Sequence, residues 1–183
     1  NELNQYTNIF CASMPLREPS HDDDGNMTFL PNTSGGEAGG EGWCLQWNGE
    51  NRLISASNSF QYIAYDYDVA GRMIAKTANG QKTMYIWDRS NIIAQNDYAS
   101  NYLHESYMIW GLDLSSSRFG ASGVGGIVGV VKEGEIYSPA YDANGNVVGY
   151  FDKGGIAVAQ RKYSVSGETL VCSGTNINDF THW

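Results

Sequence analysis

The order of apolar and polar residues along this chain predicts short β-strands. No stretch of about 12 residues repeats apolar side chains at the helical period of 3.6 residues. Short apolar runs alternate instead with turn-forming Asn, Asp and Gly residues. The longest such run, residues 126–131, has the length of a strand and falls well short of the roughly 20 residues of a membrane span. We therefore expect an all-β chain with no membrane span.

One local pattern recurs: an aromatic residue, Asp or Asn, two variable residues, Gly or Asn, Asn or Arg, and then apolar residues. Neighbouring copies start 20 to 26 residues apart, the length of one β-hairpin, except for a 54-residue interval that contains Trp110 and Gly111. This spacing predicts tandem strand-turn-strand units that bury their apolar faces only by stacking on one another. The copies begin at His21, Trp47, Tyr67, Trp87, Tyr141 and Tyr163.

Each residue type in the pattern has a role in a hairpin turn. The aromatic residue ends one strand, Asp or Asn bonds to the backbone two residues on, and Gly or Asn accepts a positive φ. The signature residues are Trp47, Asn51, Arg52, Tyr67, Asp68, Gly71, Arg72, Trp87, Asp88, Trp110, Gly111, Tyr141, Asp142, Gly145 and Asn146. The residues expected to face a core are Trp47, Leu53, Tyr67, Met73, Tyr85, Trp87, Ile93, Trp110, Tyr141 and Val147.

Composition agrees with short strands and limits the partners. The 183 residues include 22 Gly, 13% are aromatic and only 17% are charged, which suits strands joined by tight turns. The net charge of -9 repels phosphate groups, so we expect no nucleic-acid partner.

Several residues resemble parts of catalytic or ligand sites, but their spacing fails. His21, His104 and His182 have neither the spacing of a catalytic triad nor that of a HExxH zinc site. In an EF-hand register that begins at Asp22 or Asp142, the required Gly falls on Met27 or Val147 and the closing Glu on Thr33 or Lys153. Residues 120–129 lack a phosphate-loop pattern. We therefore expect no enzyme, no metal and no cofactor.

The three cysteines, Cys11, Cys44 and Cys172, are far apart and form no CxxC pair. A Cys11–Cys44 bridge and buried free thiols both remain open.

The repeated units resemble the YD repeats of the Rhs family. Residues 50–56 resemble a common strand of that family, residues 1–7 the opening of a late repeat block, and residues 107–115 with 123–127 the start of the Rhs-associated core. The resemblance implies repeat hairpins over residues 1–106, with a Gly-rich loop near residues 31–42. It implies the start of the core, with two further repeats, over residues 107–183, all within one continuous structural unit.

Rhs proteins are secreted or surface-exposed chains whose repeats wind a β-sheet spiral into a hollow shell, often around a C-terminal toxin. The resemblance therefore implies a curved antiparallel sheet that forms part of such a shell, on a bacterial surface or outside the cell. Its implied partners are the rest of a larger Rhs chain and a toxin cargo. This chain departs from the family in lacking the Asp-Pro-x-Gly-Leu autocleavage motif and the Tyr-Tyr-Arg-Tyr-Asp-Pro segment.

Two alternatives remain at this level. About six hairpin units cannot close a shell, so we expect open strand edges, which recruit further strands. Copies of this chain joined through those edges would form a self-assembling filament or surface-layer subunit. The second alternative is a glycan or cell-surface adhesion module, which exposed aromatic residues beside Asn and Asp would favour.

Overall fold

The computed structural model describes residues 18–32, 42–99, 102–165, 167–175 and Phe180. The elements found there are fourteen β-strands, and the described strand pairings are antiparallel. The all-β fold of antiparallel hairpins expected from the repeats is thus confirmed. No helix that could span a membrane occurs in the described part of the chain. Residues 1–7 and most of the predicted Gly-rich loop lie outside the described residues.

The chain divides into two compact units, Asn1–Thr83 and Met84–Trp183. The division falls within β7 (Gln81–Asp88). The boundary expected at residue 106 stays a prediction. Unit 1 contains β1 (Ser20–His21), β2 (Met27–Pro31), β3 (Gly42–Trp47), β4 (Leu53–Ser57), β5 (Tyr62–Tyr67) and β6 (Met73–Ala78). Unit 2 contains β8 (Asn91–Ala99), β9 (Tyr102–Trp110), β10 (Ile127–Lys132), β11 (Glu135–Tyr141), β12 (Val147–Phe151), β13 (Ala157–Tyr163) and β14 (Thr169–Ser173).

Within each unit, every strand pairs with the next strand along the chain. In unit 1, for example, Ala56 of β4 lies opposite Leu45 of β3 on one side and opposite Ile63 of β5 on the other. The pairs between neighbouring strands are therefore formed by residues that are close in sequence, as the hairpin-sized repeat requires.

The strand that follows a turn of the signature type is here called the return strand, and most of the described return strands have an extra residue near their start. Ile54 lies between the pairs Trp47–Leu53 and Gln46–Ser55, and Ile74 occupies the same position in β6. Such a β-bulge bends the strand and interrupts the regular ladder of backbone hydrogen bonds. The same irregularity occurs at Thr28, Val128, Val148, Val158 and Leu170.

The aromatic residue that ends a strand is bonded to the preceding return strand. Tyr67 donates its hydroxyl to the carbonyl of Leu53, the first residue of β4, at 2.8 Å. Each bond satisfies the polar end of a half-buried ring and a carbonyl next to a bulge or turn. Three further bonds are of the same kind: Trp47 Nε1 to Met27 O at 2.8 Å, Trp110 Nε1 to Ile92 O at 2.7 Å, and Tyr141 hydroxyl to Ile127 O at 2.7 Å.

Burial raises the pKa of Tyr141 to about 12 and raises that of Tyr67 from its usual value. Both hydroxyls therefore keep the proton that they donate well into the alkaline range.

Three alanines are among the most buried residues of unit 1 and of the start of unit 2. Ala56, Ala75 and Ala94 are 6%, 3% and 4% exposed, because each lies in the middle of a return strand with a strand on either side. Of the ten residues expected to face a core, all but one are half-buried. Ile93 is 37% exposed, so the prediction is wrong there.

A larger apolar cluster lies in unit 2, where Val130, Tyr150, Val158, Ala159 and Phe180 are all buried. The ring of Phe180 stacks on Tyr150 with centroids 4.2 Å apart and meets Tyr137 edge-on at 5.1 Å.

The bond from Tyr67 to Leu53 gives a direct test of this coupling. We expect Tyr67→Phe to lower the free energy of unfolding by about 1 kcal/mol, because it removes the donor and leaves a carbonyl without its partner. Urea unfolding followed by circular dichroism measures the loss. Tyr62→Phe, at a ring that is 56% exposed, is the matched control and should change stability by less than about 0.5 kcal/mol. Equal effects of the two substitutions would contradict the assigned role of the bond.

Candidate functional site: interlocked turns and an aromatic groove

The signature Asp or Asn closes the turn as expected. Asp68 Oδ1 accepts hydrogen bonds from the backbone N–H groups of Ala70 and Arg72, both at 2.9 Å. Asp142 does the same with Asn144 and Asn146, also at 2.9 Å. The backbone hydrogen bond from Arg72 lowers the pKa of Asp68, and the side-chain bond from Asn146 lowers that of Asp142, because both favour the carboxylate.

The third residue after the turn's Asp or Asn has a positive φ, again as expected. Asn51, Gly71 and Gly145 have φ values of 58°, 83° and 82°. This conformation is easy for Gly and tolerated by Asn, whereas most other residues resist it.

The copy that begins at Trp87 is built differently. A two-residue turn, Arg89 and Ser90, joins β7 to β8, and Arg89 has the positive φ of 53°. Asp88 is the last residue of β7, and Asn91 is the buried first residue of β8 rather than a turn residue. The sequence pattern therefore located this turn correctly but misassigned the positive φ, because the turn is shorter than in the other copies.

One further turn was missed in the sequence. Asp152 Oδ1 accepts from the N–H groups of Gly154 and Ile156 at 2.8 and 2.9 Å, and Gly155 has a φ of 77°. Its signal was present, since Phe151-Asp152 followed by Gly155 repeats the spacing of Tyr141-Asp142 followed by Gly145. It begins only ten residues after Tyr141, at the end of the very next strand, whereas Trp47, Tyr67 and Trp87 lie two strands apart.

Neighbouring turns of unit 1 bind one another. Asn26 Nδ2 donates to Asn51 Oδ1 at 2.9 Å and so joins the first turn to the second. Arg52 reaches the third turn, where it donates to the carbonyl of Asp68 at 3.4 Å and lies 5.9 Å from the ring centre of Tyr67. The side chain of Arg72 forms an ion pair with Asp68 of its own turn at 2.6 Å.

The 54-residue interval contains an enlarged turn. Trp110 ends β9 and bonds to the preceding return strand like the other signature aromatics, and residues 111–126 then take the place of a short turn. Gly111 N–H donates to the carbonyl of Gly126 at 2.7 Å and closes the base of this loop. Trp110, one of the signature residues named from the sequence, thus ends a strand of another hairpin within the 54-residue interval.

Asp113 organises the enlarged turn and is 5% exposed. Its Oδ1 accepts from the backbone N–H and the hydroxyl of Ser115, at 2.9 and 2.5 Å. Its Oδ2 accepts from the N–H groups of Ala121 and Gly123, at 2.7 and 3.3 Å. The hydrogen bond from the Ser115 hydroxyl, with the backbone bonds, lowers the pKa of Asp113 to about 2. Sequence analysis missed this residue because it lies three positions after the aromatic rather than one.

The enlarged turn packs on the next turn of unit 2. A Cβ atom placed on Gly145 would lie 2.7 Å from Cγ1 of Val124 and 3.0 Å from Cδ1 of Leu114. Gly145 therefore serves two purposes, a positive φ and a close approach between turns.

Unit 2 also contains an apolar groove of about 280 Å³. Its aromatic walls are formed by three half-buried signature residues, Trp87, Trp110 and Tyr141. The polar ends of Trp110 and Tyr141 are bonded to backbone carbonyls, so that their ring faces rather than their polar atoms are available to a ligand. The other lining residues are Ser90, Ile92, Gly123, Gly125, Ile127, Gly145 and Val147.

Nothing resembling a metal centre was found in the residues that the structure describes, where no three His, Cys, Asp or Glu side chains are grouped suitably. Cys44 and Cys172 are free thiols but exposed, so the alternative of buried thiols does not hold for either. Cys11 lies outside the described residues.

No protein-family model matches this chain. It is 27% identical over 172 residues to the tRNA3(Ser)-specific nuclease WapA of Bacillus spizizenii and to the tRNA nuclease WapA of Bacillus subtilis. It is 28% identical over 172 residues to the tRNA(Glu)-specific nuclease WapA of Bacillus subtilis subsp. natto. Each match covers 91% of this chain but only 6% of the relative, so the chain spans a small fraction of the length of these proteins.

A solved structure has a similar fold. A chain in the Photorhabdus luminescens Tc holotoxin pore matches 92% of this chain with a TM-score of 0.55 and 12% identity, and the match covers 10% of that chain. At this identity the likeness concerns the fold alone, and it supports an Rhs-like β-sheet.

The relatives correct one expectation drawn from the sequence. We expected no enzyme, whereas the similar proteins are named tRNA nucleases. Their names also weaken the general exclusion of nucleic acid as a partner, which was based only on the net charge of this chain. Both expectations were drawn from 183 residues, which represent about 6% of each relative.

Gly145 and Gly155 offer a matched test of the turn contacts, because they occupy the same position in two turns of unit 2. Alanine at either site would have to adopt a positive φ, which lowers the free energy of unfolding by about 1 kcal/mol. Gly145→Ala should lower the free energy of unfolding by about 1–3 kcal/mol more than Gly155→Ala does, because its methyl group meets Val124. Nothing lies within 4 Å of a Cβ atom placed on Gly155. Urea unfolding of the two variants measures the difference, and equal losses would show that the turn contact is unimportant.

The low pKa of Asp113 predicts that the enlarged turn becomes less stable in acid. The folded pKa lies below the unfolded one, so its contribution to stability is complete above about pH 4 and is lost as the pH falls towards 2. In the wild-type chain, hydrogen exchange of residues 111–126 should therefore accelerate, relative to that of the strands, below pH 4. Asp113→Asn should accelerate exchange in the same loop at pH 7, whereas the exposed Asp23→Asn should leave it unchanged. An unaltered loop in Asp113→Asn would contradict the organising role.

Proposed function

We propose that this chain is part of the β-sheet wall of a secreted or surface toxin protein of the Rhs type. We further propose that the complete protein is a nuclease that acts on tRNA. One observation carries the wall assignment: a match that spans 92% of this chain and only a tenth of a chain in the Tc holotoxin pore. The nuclease assignment is supported by the names of the three relatives.

The contacts between successive hairpins are of the kind that a β-sheet wall requires. Each hairpin is held to its neighbours by strand pairing, by a signature aromatic or by a turn contact, as the bonds of Tyr67 and Arg52 illustrate. A structure built in this way can be extended by further hairpins, because each of these contacts is made between neighbouring hairpins. In our proposal the rest of the complete protein supplies those further hairpins. We propose a toxin cargo as the content of the resulting shell.

The last described strand supports the addition of further strands. All five residues of β14 are exposed, including Leu170 at 63% and Val171 at 48%. An exposed strand with apolar side chains is a template for pairing with another strand. In the proposed protein that strand comes from the rest of the same chain. In the alternative, a filament or surface-layer subunit, it comes from a second copy.

Native protein containing this sequence would decide between these assignments. We expect a polypeptide much heavier than 20.1 kDa that forms discrete hollow particles in negative-stain images. We also expect tRNA cleavage to rise at least tenfold after mild urea opens the particles, compared with intact particles from the same preparation. Filaments built from a chain near 20.1 kDa, with no nuclease activity before or after urea, would contradict the proposal.

A further inference from the structure

Side chains help to hold the end of a strand that carries a signature aromatic. In unit 1, β5 pairs with the preceding strand β4 as far as Ala64. Beyond Ala64, the hydroxyl of Tyr67 binds a carbonyl of β4, and Arg52 donates to the carbonyl of Asp68. An aromatic bond and an arginine bridge therefore fasten the end of β5 to the hairpin before it.

The corresponding end of β13 in unit 2 is held differently. β13 pairs with the preceding strand β12 as far as Gln160. Asn146 occupies the position of Arg52 in the turn before β12, and its short side chain bonds back to Asp142 at 2.8 Å. Within the part of the chain that the structure describes, the Tyr163 hydroxyl has no hydrogen-bond partner. The described residues thus provide neither the aromatic bond nor the arginine bridge at this strand end.

A cleft occupies the place of the bridge. It has a volume of about 920 Å³ and is lined by the turn that contains Asn146, by Tyr163 and by the turn that joins β13 to β14. In unit 1, the side chain of Arg52 crosses from its own turn to the next one. The change from Arg to Asn at this position therefore explains why the two turns of unit 2 stand apart.

The start of β13 is anchored, whereas the strand after its turn is not. Val158 and Ala159 are 8% and 2% exposed within the apolar cluster, and Arg161 donates a hydrogen bond to the carbonyl of Phe180. All five residues of β14 are exposed, so separating β14 from β13 uncovers little further apolar surface. The limit between the anchored and the unfastened part of this hairpin lies near Arg161.

We propose that the end of β13 beyond Arg161 and the strand β14 form a flap, which opens while the rest of unit 2 stays folded. Segments with few buried contacts open locally at a small cost in free energy. The opening itself does not depend on the proposed function. In the proposed wall, which does rest on that function, the flap is the point at which this part of the sheet opens first.

Amide hydrogen exchange of the whole 183-residue chain at pH 7, followed by nuclear magnetic resonance, tests the flap. We expect a step in protection within β13, with amides beyond Arg161 and those of β14 exchanging at least tenfold faster than those of Val158 and Ala159. Uniform protection along β13 would overturn the proposal.

Two variants exchange the bridging residue between the units. Asn146→Arg places an arginine where Arg52 stands in unit 1, and it should slow exchange of the flap at least threefold. Arg52→Asn should accelerate exchange at the end of β5 by a similar factor. Ala143→Arg is the matched control, because it adds the same charge to the same turn at an exposed position outside the cleft, and exchange of the flap should be unchanged.

Tyr163→Phe gives an independent test of the missing aromatic bond. It should leave both the free energy of unfolding and the exchange of the flap unchanged, because the described residues offer its hydroxyl no partner. Faster exchange of the flap in Tyr163→Phe would overturn the proposal, as would unchanged exchange in both Asn146→Arg and Arg52→Asn. Hollow particles with nuclease activity and uniform protection of β13 would refute this inference and leave the proposed function intact.

Discussion

The hydrogen bond from a strand-ending aromatic side chain to the preceding return strand is the interaction on which the rest of this structure depends. A single hairpin has too little apolar surface to be stable alone. Tyr67 and Tyr141 each join one hairpin to the one before it through a half-buried ring and a hydroxyl that donates to a backbone carbonyl. The β-bulge at the start of the return strand interrupts the backbone ladder where these bonds form. The aromatic, the bulge and the turn therefore act as one unit.

This arrangement explains why the turns are as constrained as the strands. Once the aromatic residue fixes the distance between hairpins, neighbouring turns come close enough to bind, as Asn26 binds Asn51. Gly145 shows the consequence, because its turn requires a positive φ and the adjacent loop leaves no room for a Cβ atom. The enlarged turn around Asp113 satisfies the same constraint by a different route, since Trp110 keeps its bond to Ile92 while the loop beyond it changes length.

Much of this fold could be predicted from the sequence, because its rules are local. The aromatic, the Asx-turn and the positive φ follow from residue type and spacing, and Tyr67, Asp68 and Gly71 are placed as expected. The predictions failed for features that depend on the length of a turn, on the spacing between copies or on contacts distant in sequence. The short turn after Trp87, the early copy at Phe151 and the buried carboxylate of Asp113 all break the regular spacing. The apolar cluster around Phe180 and the groove lined by Trp87, Trp110 and Tyr141 are formed by residues far apart in sequence. No local sequence pattern specifies such contacts. The expectation of no enzyme, drawn from these residues alone, conflicts with the names of relatives of which the chain represents a small part.

The central claim is that the aromatic bond couples successive hairpins, and hydrogen exchange in Tyr141→Phe tests it most directly. Tyr141 lies in β11, whereas the carbonyl that it binds belongs to Ile127 at the start of β10. The account predicts faster amide exchange in β10 as well as in the β11–β12 hairpin, with β13 and β14 less affected. Faster exchange confined to the residues beside position 141, with β10 unchanged, would show that the hairpins are held together by strand pairing alone and would contradict the account.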